Sequence, residues 1–173
     1  MLGLTINMRF ASRAPSGVDR VAGQLLKAIA DVCCELEEDC SGISVVYPKC
    51  GINRGYYSEG CFYPLRNVLD SKMNGHVWEQ IELPFRVGES WLLNFCSLGP
   101  AIRRRQVVMI HDAQTYLIPQ SYTFLFRCWY KIMLPILGRR SDVILTVSNY
   151  SKEQLERFKV VPKGKAHVVP NGV

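Results

Sequence analysis

Short apolar runs alternating with amphipathic helical periods constrain this chain more than any other feature of it. Leu2 to Met8 is a compact apolar run with Thr5 and Ile6 at its centre and Ser/Pro/Gly punctuation soon after, which predicts a buried first strand. Ser16-Gly17-Val18-Asp19 then has the Ser-x-x-acid pattern of a helix N-terminus, and Val18, Val21, Leu25, Ile29 and Val32 recur at helical spacing to about Leu36. Ile43 to Tyr47 is a second, β-branched strand, while Pro48 to Met73 mixes Gly, Pro, Asn and Tyr without a period and is expected to be irregular.

The alternation resumes with a helix over Val77 to Leu83, expected to stop at Pro84, and strands over Trp91 to Phe95 and Val107 to Ile110. Ser121 to Arg140 reads as a helix bent or broken near Pro135. A strand over Asp142 to Val147, a helix over Tyr150 to Phe158 and a last strand over Ala166 to Val169 complete the series. Strands that alternate with helices require crossover connections, so the predicted fold is α/β: a doubly wound, Rossmann-like, mostly parallel sheet with helices on both faces. One domain over residues 1–169 is expected, with 170–173 as the start of a linker.

At 173 residues and 48% hydrophobic, the chain can bury a core without disulfides or a structural metal. The seven cysteines are odd in number and contain no C-x-x-C pair, so they are read mostly as free thiols of a reducing compartment. The longest apolar-rich stretch, Tyr122 to Leu137, is interrupted by Arg127 and Lys131 and is too short to span a bilayer; no signal peptide is recognised. The predicted location is the cytoplasm, with peripheral contact at the inner face of the membrane as a further option. The formal charge of +6 favours anionic partners.

In an open parallel sheet, ligands gather at the carboxyl ends of the strands. Three segments fall there. The loop from Arg9 to Gly17 ends at a helix start, where free N–H groups and the dipole suit a phosphate, and Arg20 in the first turn is mildly unfavourable unless an anion lies near; a capped turn with a solvated arginine is the alternative. His111 and Asp112 follow the Val107 to Ile110 strand. There His111 can donate to a sugar hydroxyl, with Asp112 fixing its tautomer or merely capping the next turn. Ser148 and Asn149 follow the Asp142 to Val147 strand, where an N-cap role needs no ligand.

Dinucleotide, P-loop and hydrolase signatures are absent from the sequence, and His76, His111 and His167 are scattered, so no metal site is predicted. Arg103-Arg104-Arg105 reads as a solvated loop or a contact with an anionic membrane, and nucleic acid is not expected as a partner. The aromatic residues Tyr122, Phe124, Phe126, Trp129 and Tyr130 read as core or as a surface for acceptor lipid, with core favoured.

Taken together, Ser16-Gly17-Val18-Asp19-Arg20, Trp78-Glu79-Gln80 with Leu83-Pro84, Ile110-His111-Asp112 with Pro119, Ser141 to Ser148, and Val168-Val169-Pro170-Asn171-Gly172-Val173 resemble family 4 of the retaining glycosyltransferases. The resemblance implies the N-terminal, acceptor-side half of a GT-B fold. It also implies transfer of a hexose or deoxyhexose from a nucleotide-sugar donor to a glycan or glycolipid acceptor, with no further cofactor and no metal. His111 would reach the transferred sugar as the catalytic candidate, and Gly17, Arg20, Asp112, Ser148 and Asn171 would line the substrates. The donor-binding half would follow Val173, in cis or in trans, and the chain alone would be nearly inactive. A non-catalytic binding or assembly module of a two-chain enzyme or membrane-surface complex is the alternative.

Overall fold

A computed structural model describes residues 3–35, 42–53, 55–56, 66–68 and 71–171. The chain divides into two compact units, Met1–Phe95 and Cys96–Val173.

In the first unit, β1 (Leu4–Asn7) leads through a 3-10 turn at Arg9–Ser12 to α1 (Gly17–Glu35), then β2 (Ile43–Val46) and β3 (Arg66–Val68). A continuous helical run follows: α2 (Gly75–Val77), a π-helical turn at Trp78–Glu82 and α3 (Leu83–Arg86); β4 (Trp91–Asn94) closes the unit. The strand order here is β3-β2-β1-β4, and each neighbouring pair is parallel. Because crossovers between parallel strands are right-handed, the connections before β2 and before β4 lie on opposite faces. The order reverses between β1 and β4, which makes their carboxyl ends the unit's crevice.

Two sequence expectations change in this unit. β3 lies inside the segment expected to be irregular; at three residues, Arg-Asn-Val, it carries no alternation to recognise. Helical structure also runs through Pro84 instead of stopping before it. The wide π turn ends with the Leu83 N–H bonded to the Trp78 carbonyl, and Pro84 begins a new turn at a position where no N–H is required. The face that α1 buries is centred on Asp19, Ala22, Leu26 and Ala30, with Val18, Val21, Leu25 and Ile29 only half-buried beside it and Val32 exposed. The buried stripe thus carries two small alanines about Leu26, and the larger β-branched and leucine side chains flank it. Val46, Trp78, Leu83, Val87 and Leu92 form one buried apolar cluster of this unit.

The second unit runs β5 (Gln106–Met109), α4 (Gln114–Leu117), a 3-10 turn at Pro119–Ser121, α5 (Phe124–Arg140), β6 (Val143–Thr146), α6 (Asn149–Arg157) and β7 (Ala166–Val168). Here the strands lie in the order β5-β6-β7, again parallel. Leu98, Val108, Ile110, Leu134, Leu137, Ile144 and Leu155 belong to its core. α5 is capped by the Thr123 hydroxyl and continues through Pro135 without the break anticipated there. Its aromatics divide. Trp129 and Tyr130 pack on the core, whereas Phe124 and Leu125 are 69% and 79% exposed.

Cys33, Cys96 and Cys128 are half-buried, Cys50 is exposed, and none of the four forms a disulfide. The side chains of Cys34, Cys40 and Cys61, and the positions of Gly172 and Val173, lie outside the described residues. No described helix is long and apolar enough to cross a membrane.

Candidate functional site

The loop after β1 in the first unit carries the predicted helix start. Asp19 is fully buried, and its carboxylate accepts the Ser16 N–H at 2.9 Å, the Ser16 hydroxyl at 2.8 Å and the Arg13 guanidinium at 2.8 and 3.2 Å. Burial pushes its pKa up, but Arg13 and Ser16 more than offset this and hold it below the ordinary carboxylate value. The predicted capping pair is therefore present, with Asp19 as the stronger half and the Ser16 hydroxyl a distant 3.5 Å from the Asp19 N–H. Gly17 stands exposed at the first position of α1 with open space where a Cβ would project, and Arg20 is exposed one turn on.

A buried polar network at the crevice between β1 and β4 was not anticipated as a unit. Asn7 ends β1 and Asn94 ends β4; the Asn7 amide donates to Asn94 Oδ1 at 2.9 Å and to Glu79 Oε1 at 2.9 Å. Arg9 Nε also donates to Glu79 Oε1 at 3.0 Å, its backbone N–H bonds to Asn7 Oδ1, and His76 Nδ1 lies 3.3 Å from Glu79 Oε2. Full burial raises the Glu79 pKa. His76, Arg9 and Asn7 outweigh that effect and keep it ionised, below its ordinary value. The π turn is what makes this arrangement possible, because it turns both Trp78 and its neighbour Glu79 inward. In the sequence, Trp78-Glu79 stands out only within the family-like pattern. The available signal was an amide closing each of two apolar strands.

The second unit gathers the other candidates along the carboxyl ends of β5, β6 and β7. Ile110 donates its N–H to Leu145 and Val169 donates to Thr146, so the segments leaving the three strands stay side by side. His111 follows β5 and is only 6% exposed. Asp112 Oδ1 accepts the Gln114 N–H at 2.9 Å, so it caps the turn into α4. Ser148 caps α6, its hydroxyl accepting the Ser151 N–H at 3.0 Å. Asn171 is exposed beyond β7. Among the described residues, four buried hydroxyls of this unit, on Thr115, Tyr116, Ser141 and Thr146, have no hydrogen-bond partner; Thr146 is the last residue of β6 and Thr115 lies four residues past His111. Such groups are rare in native structures unless water or a ligand meets them. Among the described residues, no three His, Cys, Asp or Glu side chains are grouped to hold a metal.

These strand-end residues fall within the segment that matches a known family. Residues 89–173 match the model of Glycosyltransferase Family 4. No curated protein matches the chain. Among solved structures, Alr3699/HepE of Anabaena, crystallised in complex with UDP and glucose, is similar over 100% of this chain at 13% identity and a TM-score of 0.63. The chain spans 45% of the length of that protein. The resemblance to the family 4 glycosyltransferases is thus matched over residues 89–173, and the whole chain shares the Rossmann-like α/β fold of HepE.

Proposed function

We propose that this chain is the acceptor-side half of a retaining glycosyltransferase that moves a hexose or deoxyhexose from a nucleotide-sugar to a glycan or glycolipid. The observation that carries the reading is the family match over the segment holding His111, Asp112, Ser148 and Asn171, which lie along one strand edge. The UDP and glucose bound by HepE support a nucleotide-sugar donor.

Departure of a nucleoside diphosphate builds negative charge, and catalysis consists largely of placing fixed dipoles and cations where that charge develops. On this reading the open N-terminus of α1 at Gly17, with Arg20, serves the diphosphate. Buried His111 donates to the transferred sugar, Asp112 holds the turn that positions it, and Ser148 and Asn171 flank the substrates. A second domain, in cis or in trans, supplies the rest of the donor site, so the chain alone has little activity.

Transfer and donor hydrolysis, measured with a panel of nucleotide sugars for the chain alone and for the chain joined to a donor domain, test the proposal. Turnover only by the joined protein, impaired by His111→Ala, is the expected result. If the joined protein stays inactive with every donor, the transferase reading fails. The exposed Phe124, Leu125 and Ile132 on α5, with Arg127 and Lys131 on the same helix, support a second role as a cytoplasmic module resting on an anionic membrane surface. Release from anionic vesicles at high salt, together with loss of binding in Leu125→Ser, would bear out that role.

A further inference from the structure

We propose that Arg9, held edge-on by Glu79, is a phosphate-binding group at the crevice between β1 and β4. An arginine carries five N–H donors in a planar fork. Arg9 spends only its Nε on Glu79, and among the described residues its terminal nitrogens meet no acceptor. The side chain keeps 9% of its surface exposed, and among the described residues neither terminal nitrogen is a sealed, partnerless atom, so the fork reaches solvent.

A purely structural clamp would present the two-pronged end of the guanidinium to the carboxylate, where two parallel bonds form. Here the geometry is reversed. Both Glu79 oxygens are occupied, by Asn7 and Arg9 on one and His76 on the other, and the Arg9 backbone is tied to Asn7, so the guanidinium is fixed in direction with its fork unused. Desolvating an ion pair is costly unless its hydrogen-bonding capacity is satisfied. A tetrahedral oxyanion accepting two N–H bonds from the fork completes that capacity, and the crevice where strand order reverses is where ligands of such sheets enter. Both a nucleoside diphosphate and the phosphate of a lipid-linked acceptor supply this chemistry.

The test needs no turnover and so stands apart from the transferase reading. Inorganic phosphate is titrated at constant ionic strength into the arginine-labelled protein while the Arg9 Nε–H resonance is followed, and binding is measured by calorimetry. Phosphate is expected to shift the Arg9 signal saturably, and Arg9→Gln is expected to abolish the binding. Glu79→Gln keeps an acceptor for Asn7 and Arg9 while removing a negative charge a few ångströms from the anion, so it is expected to bind phosphate about tenfold tighter or more. Parallel titrations with UDP and with dodecyl phosphate in neutral micelles identify the source, the tighter ligand being the physiological class. An Arg9 resonance that does not move at saturating phosphate overturns the proposal, and that measurement needs no variant to fold. Phosphate affinity unchanged in a folded Arg9→Gln or Glu79→Gln protein overturns it equally.

Discussion

Gly138→Ala offers a test in which two physical effects predict opposite signs. In an exposed helix, replacing glycine by alanine stabilises by about 1 kcal/mol, because alanine loses less backbone freedom on folding. Gly138 lies inside α5, where a Cβ would overlap the Val160 carbonyl oxygen and stand 3.0 Å from the Val160 carbonyl carbon and 3.2 Å from Val161 Cγ2. The obstacle is backbone, not the end of a flexible side chain. Val160 and Val161 are buried in the core of the second unit, and the Val160 N–H is bonded to the Leu155 carbonyl, so the segment cannot retreat freely. Overpacking of this kind costs about 1–3 kcal/mol, with the upper end fitting an obstructing main chain. After the helix gain is deducted, the substitution should destabilise by about 2 kcal/mol, which for a chain of this size lowers Tm by about 4–8 °C. Thermal unfolding followed by circular dichroism measures it, with Gly17→Ala, where nothing crowds the new methyl, as a control that moves little. A Tm for Gly138→Ala equal to or above that of the parent would refute the close approach of α5 to Val160.

Three further predictions concern a cap, buried charge and the core. Ser148→Ala removes the cap of α6 and should cost about 1 kcal/mol, read as a lower midpoint in urea unfolding. Asp19 and Glu79 both have folded pKa values below their ordinary 3.8 and 4.5, so their stabilisation is complete above those values and is lost as pH falls through the lower folded ones. Melting temperatures should therefore drop progressively below about pH 4.5, and Glu79→Gln should flatten that dependence. Trp78→Ala empties the largest fully buried side-chain site and removes the indole N–H bond to Ser71, at a cost of about 3–5 kcal/mol, which chemical denaturation would detect.

The alternation of strands and helices was legible because each strand is an apolar run bounded by turn residues and each long helix repeats at its own period. Hence β1, β2 and β4 to β7 were located to within one or two residues. The capping acid at Asp19 and the positions of His111 and Ser148 just beyond strand ends were legible for the same reason, since they depend on neighbours in sequence. β3 was not, because three residues without alternation carry no period, and the passage of helix through Pro84 depends on a π turn that no local propensity announces.

The sequence by itself determined the fold class and the residues placed at strand termini, because hydrophobic periodicity and capping act over a few residues. Only the tertiary structure decided which polar groups meet. Asn7 and Glu79 are 72 positions apart and Asn7 and Asn94 are 87 apart, and they touch because parallel pairing of β1 with β4 and the wide turn at Trp78 bring them to one crevice. The same packing decided that α1 buries its alanines while α5 leaves Phe124 and Leu125 in solvent. Which face of an apolar helix is covered depends on the surface it meets, and that surface is built from residues distant in the chain.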